Sequence, residues 1–413
     1  MGTLQESELI LLRSDDLYWV WLQLALGVSS SLRTQEIVDA FGEEGARGVY
    51  HASEFERRVA GVFTNLQLKK LQEANLRQAE NVLEECERLG LHILTPRGQE
   101  YPPRLLEIPN YPLALYAHGD MGEINQRLCL SIVGTRRADR KSVDIAGRLS
   151  ADLVRAGCAI ISGCALGIDS AAHWGALHAG GRTLAVLGCG YAADYLPENT
   201  ALREKIAQNG AVITEYAGAA APMARNFPIR NRIISGISVG TIVVEAGERS
   251  GSLITATCAA EQGRDVFAVP GDAFGSTYTG GNKLIREGAK PVFSAVDVLE
   301  EYEMIYPGLL NMRRARRDLE RAAIAPERVV VQSAPKRRAA SAAAPPAPGK
   351  PTRPLNEAEE KIARALRAGP LHIDAIAKQT GLPFGALFAA LTTLEIDGIA
   401  AQMPGKLYEL KPT

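Results

Sequence analysis

Phe227-Pro228-Ile229-Arg230-Asn231-Arg232 sets an aromatic ring among guanidinium groups, in a stretch with no acid between Glu215 and Glu245. Counting Arg225, three arginines crowd one ring. Guanidiniums fork onto phosphate oxygens and a flat ring stacks on a base, which suits an unpaired nucleic acid strand. The plainer alternative makes Phe227 a core residue and the charge an accident of one loop. Asn226 and Pro228 flank the ring, and the loop holds few other large apolar groups, so stacking is the favoured reading.

The elements that must position these groups are legible as short apolar runs at 129–133, 159–161, 183–187, 211–213, 241–244 and 266–269. Helix-like stretches at about 143–156, 168–179, 199–208, 229–237 and 252–262 separate them. Apolar strands without alternation, spaced by helices, predict a parallel sheet covered on both faces. Residues 125 to about 300 therefore read as one doubly wound α/β domain. Ligands of such sheets bind at the carboxyl ends of the strands, where glycine admits close approach and helix N-termini offer N–H groups.

Those strand ends carry Gly134-Thr135-Arg136, Ser162-Gly163 through Asp169, Gly188-Cys189-Gly190, Glu245 with Arg249-Ser250-Gly251-Ser252-Leu253-Ile254-Thr255, and Pro270-Gly271-Asp272. One glycine after a strand means little, since any tight turn wants it. Five such segments with Ser, Thr and Arg point to one anionic ligand. No G-x-x-x-x-G-K-[ST] loop and no complete G-x-G-x-x-G is present, which disfavours ATP hydrolysis and a dinucleotide site. A Ser162–His173–Asp169 hydrolase is the sharp reading of the second segment. Ser162, in Ile160-Ile161-Ser162-Gly163-Cys164, is not the serine of a G-x-S-x-G elbow, so Asp169 is expected to cap its helix and His173 to fix the neighbouring loop. Glu245 could grip a ribose; bracing the Arg230/Arg232 loop is preferred.

The chain has 413 residues, 46% of them hydrophobic, and a net charge of -1. That supports two or three domains and excludes coating of nucleic acid by bulk charge, so any polyanion site must be a patch. The six cysteines form no C-x-x-C pair and lie mostly in apolar runs, predicting buried thiols in a reducing cytoplasm and no structural metal site. The N-terminus carries acid where a secretory signal carries base, and no apolar run nears the roughly 18 residues of a membrane span.

Residues 14 to about 95 read as helical and 96–120 as a proline-rich connector. A basic Ala/Pro-rich linker covers 306–354, and 355–413 show three helices and a short hairpin, a winged-helix order or a generic three-helix module. Its presumptive recognition helix, 384–397, holds no Lys or Arg; charge sits on Lys361, Arg364, Arg367 and Lys406. A protein contact or weak phosphate contact fits better than sequence reading.

Taken together, Val133-Gly134-Thr135-Arg136, Ser162-Gly163, Gly167-Ile168-Asp169 with Ala171-Ala172-His173, Phe227-Pro228 with Arg230-Asn231-Arg232-Ile233-Ile234, and Val244-Glu245-Ala246 with Ser250 through Ala256 resemble the DNA-processing protein A (DprA/Smf) family. Val266 through Gly271 and Asn282-Lys283-Leu284-Ile285 with Gly288-Ala289 extend the likeness over about 98–300. The resemblance implies an extended Rossmann domain (96–305), an N-terminal SAM-like helical domain (1–95) and a C-terminal winged helix. It implies sequence-independent binding of single-stranded DNA, its protection, and loading of the RecA recombinase during natural transformation. A homodimer through the Rossmann domain, with no catalytic residues, cofactor or metal, belongs to the same implication.

Carried over position by position, Arg136, Ser162, Gly163, Arg225, Phe227, Arg230, Asn231, Arg232, Ser250, Gly251, Ser252, Thr255, Gly271 and Lys283 would contact DNA, supported by Asp169, His173 and Glu245. The chain departs from the family at Lys141-Ser142, where a Tyr-Gly pair is usual. Arg225 replaces a lysine before the Phe-Pro, and Tyr278-Thr279 stands where a serine is expected. Two rivals from other classes are a nucleoside-monophosphate glycosidase, whose Pro-Gly-Gly-x-Gly-Thr loop has no counterpart at 249–255, and a sensor of a small nucleotide.

Overall fold

The computed structural model describes residues 6–324 and, within 355–410, all but 368, 384–385, 388–389, 392, 395–398 and 404–406. It divides into a unit of residues Met1–Ala334 and a unit of Pro335–Thr413.

Among the described residues of the first unit, nine strands form one sheet in the order β1-β2-β6-β5-β4-β3-β7-β8-β9. The strands are β1 His92–Leu94, β2 Leu115–Gly119, β3 Cys129–Val133, β4 Ala159–Ser162, β5 Thr183–Leu187, β6 Gly210–Thr214, β7 Gly240–Val243, β8 Asp265–Ala268 and β9 Lys290–Pro291. Strands β3 to β9 run parallel, while β2 pairs antiparallel with β6 and β1 with β2. Every residue of β3 to β7 is buried, which is why those strands read as unbroken apolar runs. Strand order reverses between β3 and β7, so the sheet has its switch point there.

The helices used below are α1 Glu6–Leu26, α2 Leu76–Leu89, α3 Arg140–Arg155, α4 Ile168–His178, α5 Asn226–Ile237, α6 Gly251–Glu261, α7 Thr279–Arg286 and α8 Met312–Ile324. Helices α1 and α2 contribute Trp19, Trp21, Leu22 and Cys86 to a core shared with Leu113 and Tyr116 of the sheet edge. Gln23 fastens that contact: its Nε2 donates to the Ala114 carbonyl (2.7 Å) and its Oε1 accepts from the Tyr116 hydroxyl (2.8 Å). All six cysteines are unpaired; five are buried and Cys258 is partly so.

Three expectations change. Residues 92–94 are the edge strand β1, not the end of a helical run, and β2 lies inside the proline-rich connector; both are set by pairing across the sheet. Residues 312–324, placed in the linker by composition, form helix α8, whose Met312 and Ala315 enter the main core. Of the rest of that linker, Tyr306 and Leu310 also pack against this core, and 325–354 lie outside the described residues.

In the second unit, helices α9 (Glu357–Leu366) and α10 (Ile373–Thr380) and strands β10 (Leu371–His372), β11 (Ala400–Met403) and β12 (Leu407–Leu410) enclose a core of Ile362, Leu366, Ile376, Leu391 and Tyr408. Helix α9 begins with a capping box between Asn356 and Glu359. The expected hairpin is β11–β12, in register Gln402↔Tyr408. Much of the presumptive recognition helix, and Lys406, fall outside the described residues.

Candidate nucleic-acid interface

A cleft of about 600 Å³ opens at the switch point, between the loop after β3 and the N-termini of α5 and α6. The β3 loop supplies Thr135, Arg136 and Arg137 to its wall. It is tied down by the Thr135 N–H donating to the Glu245 carbonyl (2.8 Å) and the Asp139 N–H reaching Glu245 Oε2 (3.4 Å). Both arginines are exposed, and neither has an ion-pair partner among the described residues.

Helix α5 supplies Phe227, Arg230 and Asn231, which lie three and four residues apart and so share one helix face. Arg230 is buried. Its Nη1 donates to the carbonyls of Gly163 (2.9 Å) and Val186, and its Nε to Asn231 Oδ1 (3.2 Å), so it closes the ends of β4 and β5. A side chain at Gly163 would sit 2.6 Å from the Arg230 guanidinium and 2.7 Å from the Asp169 carboxylate. Glycine there is what lets the two approach. Phe227 is partly exposed and lies on Gly188, where a Cβ would come within 2.8 Å of its ring. The guanidinium carbons of Arg136 and Arg230 stand 5.1 and 5.9 Å from the Phe227 ring centroid, within cation–π range, and Tyr195 packs at 5.2 Å.

Helix α6 starts at Gly251 with Ser250 at its N-cap position; the Ser250 hydroxyl pairs with Ser252 (2.8 Å) and caps no backbone N–H. A helix cannot satisfy its own first-turn N–H groups, and Gly251, Ser252 and Thr255 line the cleft. Asn231 Nδ2 ties this terminus to α5 through the Gly251 carbonyl (3.3 Å). The cleft thus gathers three arginines against one carboxylate, Asp169, with hydroxyls, a helix N-terminus and an aromatic ring. Such a lining has the charge and the flat apolar surface to receive a polyanion with flat groups attached.

The family profile for DNA recombination-mediator protein A matches residues 92–303, and that for the DprA winged helix domain matches residues 344–406. The chain belongs to the DNA recombination-mediator protein A family. The DNA processing protein DprA of Bacillus subtilis is 41% identical over 213 residues, 51% of this chain and 71% of that protein. Protein Smf of a Synechocystis species is 35% identical over 334 residues, 79% of this chain and 82% of the relative. The X-ray structure of Streptococcus pneumoniae DprA superposes with a TM-score of 0.60 at 31% identity, covering 69% of this chain and 97% of that one.

Within the family pattern, the structure brings Arg136, Phe227, Arg230, Asn231, Ser250, Gly251, Ser252, Thr255 and Asp169 to one cleft. Other positions lie elsewhere. Ser162 is fully buried and donates to the Ile132 carbonyl (2.6 Å), joining β4 to β3. Arg232 is buried against Glu215, with Nη2 at 2.6 and 2.8 Å from its two oxygens. Arg225 is exposed just ahead of α5, beside the rim residue Ala224. Gly271 is held under the Tyr278 ring by Asn282, and the exposed Lys283 lies 3.6 Å from Glu287. Glu245 braces the Arg136 loop rather than that of Arg230 and Arg232, because β7 runs beside β3. Thr135, singled out at its strand end but left out of the DNA-contacting set, also lines the cleft; sequence reasoning missed Arg137, which was signalled only by its place beside Arg136.

Asp169 does not cap α4. The N-cap is Gly167, and Asp169, already the second helical residue, reaches back to the Ala165 N–H (3.3 Å). Burial pushes its carboxyl pKa up, opposed mainly by Arg230. His173 is fully buried. Thr183 donates its one hydroxyl proton to the Ile160 carbonyl (2.7 Å), so it accepts from His173 Nδ1–H (2.7 Å), and Nε2 is left without a partner. With Ser162 and His173 each engaged elsewhere, the Ser162–His173–Asp169 triad is not assembled.

Burial, helped by Arg230, pushes the His173 pKa down to about 3. The fold therefore admits only the neutral ring. This contribution to stability is complete above the ordinary histidine value of about 6.5 and is lost as pH falls below it. From about pH 7 to about pH 5 the protein is expected to lose about 2 kcal/mol more than a His173→Asn variant, read from urea midpoints. The comparison with the variant removes the opposing, acid-favoured contribution of Asp169. Equal losses in the two proteins would refute a buried neutral histidine.

Proposed function

We propose that the chain is a DNA-processing recombination mediator that holds single-stranded DNA in this cleft. The strand's phosphates meet Arg136, Arg137 and the α6 N-terminus, and a base stacks on Phe227. It protects the incoming strand and presents it to a RecA-type recombinase during natural transformation, acting in the cytoplasm as a homodimer and without turnover. The observation that carries the reading is the placement of Arg136 beside a partly exposed aromatic ring, with Arg137 in the same cleft at the sheet's switch point, neither arginine having an ion-pair partner among the described residues. Sequence-independent capture follows from such a site, because every base has a stacking face and every nucleotide a phosphate.

Labelled oligo-dT titrated with and without excess duplex tests it. Binding that duplex does not compete away, with similar affinity for mixed-sequence oligomers, is the expected result. Equal competition by duplex would sink the single-strand reading. Release of free base from AMP would refute the non-enzymatic one.

A further inference from the structure

The carboxyl end of the sheet carries a second aromatic group beyond the cleft. Phe274 is 99% exposed, the highest value for a large apolar side chain among the described residues. It stands in the loop between β8 and α7, in a turn where Asp272 Oδ1 accepts its N–H at 2.9 Å. One exposed apolar residue is ordinary. Its position gives it meaning.

The loop touches both arms that border the cleft. A Cβ on Gly247 would lie 3.2 Å from the Ser276 carbonyl oxygen, and the Gly247 carbonyl accepts from the N–H of the rim residue Ser250 (3.0 Å). On the other side the Tyr278 hydroxyl meets Ser142 Oγ (2.9 Å) and Asp139 (3.3 Å), two residues past Arg137. Exposed Arg249 follows Gly247, and exposed Arg140 and Lys141 lie between Asp139 and Ser142. None of the three has an ion-pair partner among the described residues. Of the acids on the same loops, Asp272 and Asp139 already accept backbone N–H groups, and Glu248 is exposed.

We propose that Phe274 is a second stacking platform, onto which a bound single strand continues from the cleft across the ends of β7 and β8, its phosphates at Arg249 and the Arg140–Lys141 pair. The inference rests on the single-strand reading and lengthens its site. Charge favours a polyanion as the occupant, and a flat ring without polar groups favours unpaired bases over duplex.

The test compares oligo-dT of about 5 and about 20 nucleotides, lengths bracketing the roughly 4–16 nucleotides of single-strand modules, on the full chain. Phe274→Ala is expected to bind the long oligomer about tenfold more weakly and the short one like the parent, since one stacked base contributes about a factor of ten. Phe274→Trp restores the long-oligomer affinity and Phe274→Leu does not. Unchanged long-oligomer binding by Phe274→Ala, equal losses at both lengths, or rescue by Leu would each overturn the platform while leaving the cleft intact. A parent protein that binds neither oligomer would remove the single-strand reading, and the platform with it.

Discussion

Arg232→Met is expected to lower the stability of the α/β unit by about 3–5 kcal/mol, the cost of leaving a buried charge unpaired. By type and neighbourhood Arg232 belongs with the arginines proposed to contact DNA, yet its position on α5 excludes it. At 3.6 residues per turn it points about 140° away from Phe227, whereas Arg230, Asn231 and Ile234 stay within about 60°. Its guanidinium meets Glu215 with both side chains only 4% exposed. Burial pushes the Glu215 carboxyl pKa upward and Arg232 opposes this, so removing the arginine strands the carboxylate. Arg232 Nε and Nη1 have no hydrogen-bond partner, so the pair is itself imperfectly compensated. An Arg232→Met/Glu215→Leu double variant should therefore recover most of the loss. Urea unfolding of the two single variants and the double decides this. An Arg232→Met protein of parental stability but defective in oligo-dT binding would return the residue to the DNA site.

The same helix shows what a sequence discloses. Strands β3 to β8 were legible because burial on both faces leaves continuous apolar runs, and the loops that follow show their chemistry through residue types. Strands β1, β2 and β9 were not: β1 and β9 are edge strands of three and two residues, and β2, inside the proline-rich segment, is defined by its antiparallel pairing with β6 far along the chain. Helix α8 was hidden by its arginines, although Met312 and Ala315 keep helical spacing toward the core. Within the site, Phe227, Arg230 and Arg136 were identifiable by type. The partners that withdraw Ser162, Arg232 and Glu245 from the cleft are a carbonyl 30 residues away, a carboxylate 17 away and an N–H 106 away. Counting positions around α5 from Phe227 would have set Arg232 aside. No local pattern would have paired it with Glu215.

Arg136 and Arg137 invert the case of Arg232, and replacing both by alanine isolates the electrostatic part of the proposed function. Both are exposed and lie in a loop held by backbone bonds to Glu245, so their loss should leave stability within about 0.5 kcal/mol. If each neutralises one phosphate, the double variant's slope of log K against log salt falls by about 1.4, because a single strand releases about 0.7 counterion per contact. Over a tenfold dilution of salt, from about 1 M to about 0.1 M, that opens a gap of about 25-fold in affinity, the same for every sequence tested. Arg230→Lys is expected to behave differently, lowering affinity and stability together. A single ammonium cannot hold the Gly163 and Val186 carbonyls while facing the Phe227 ring, a task that uses the breadth of a guanidinium. An Arg136→Ala/Arg137→Ala variant with the parental salt slope would mean that the phosphates lie elsewhere, and the cleft would lose its role however well its ring and helix terminus are placed.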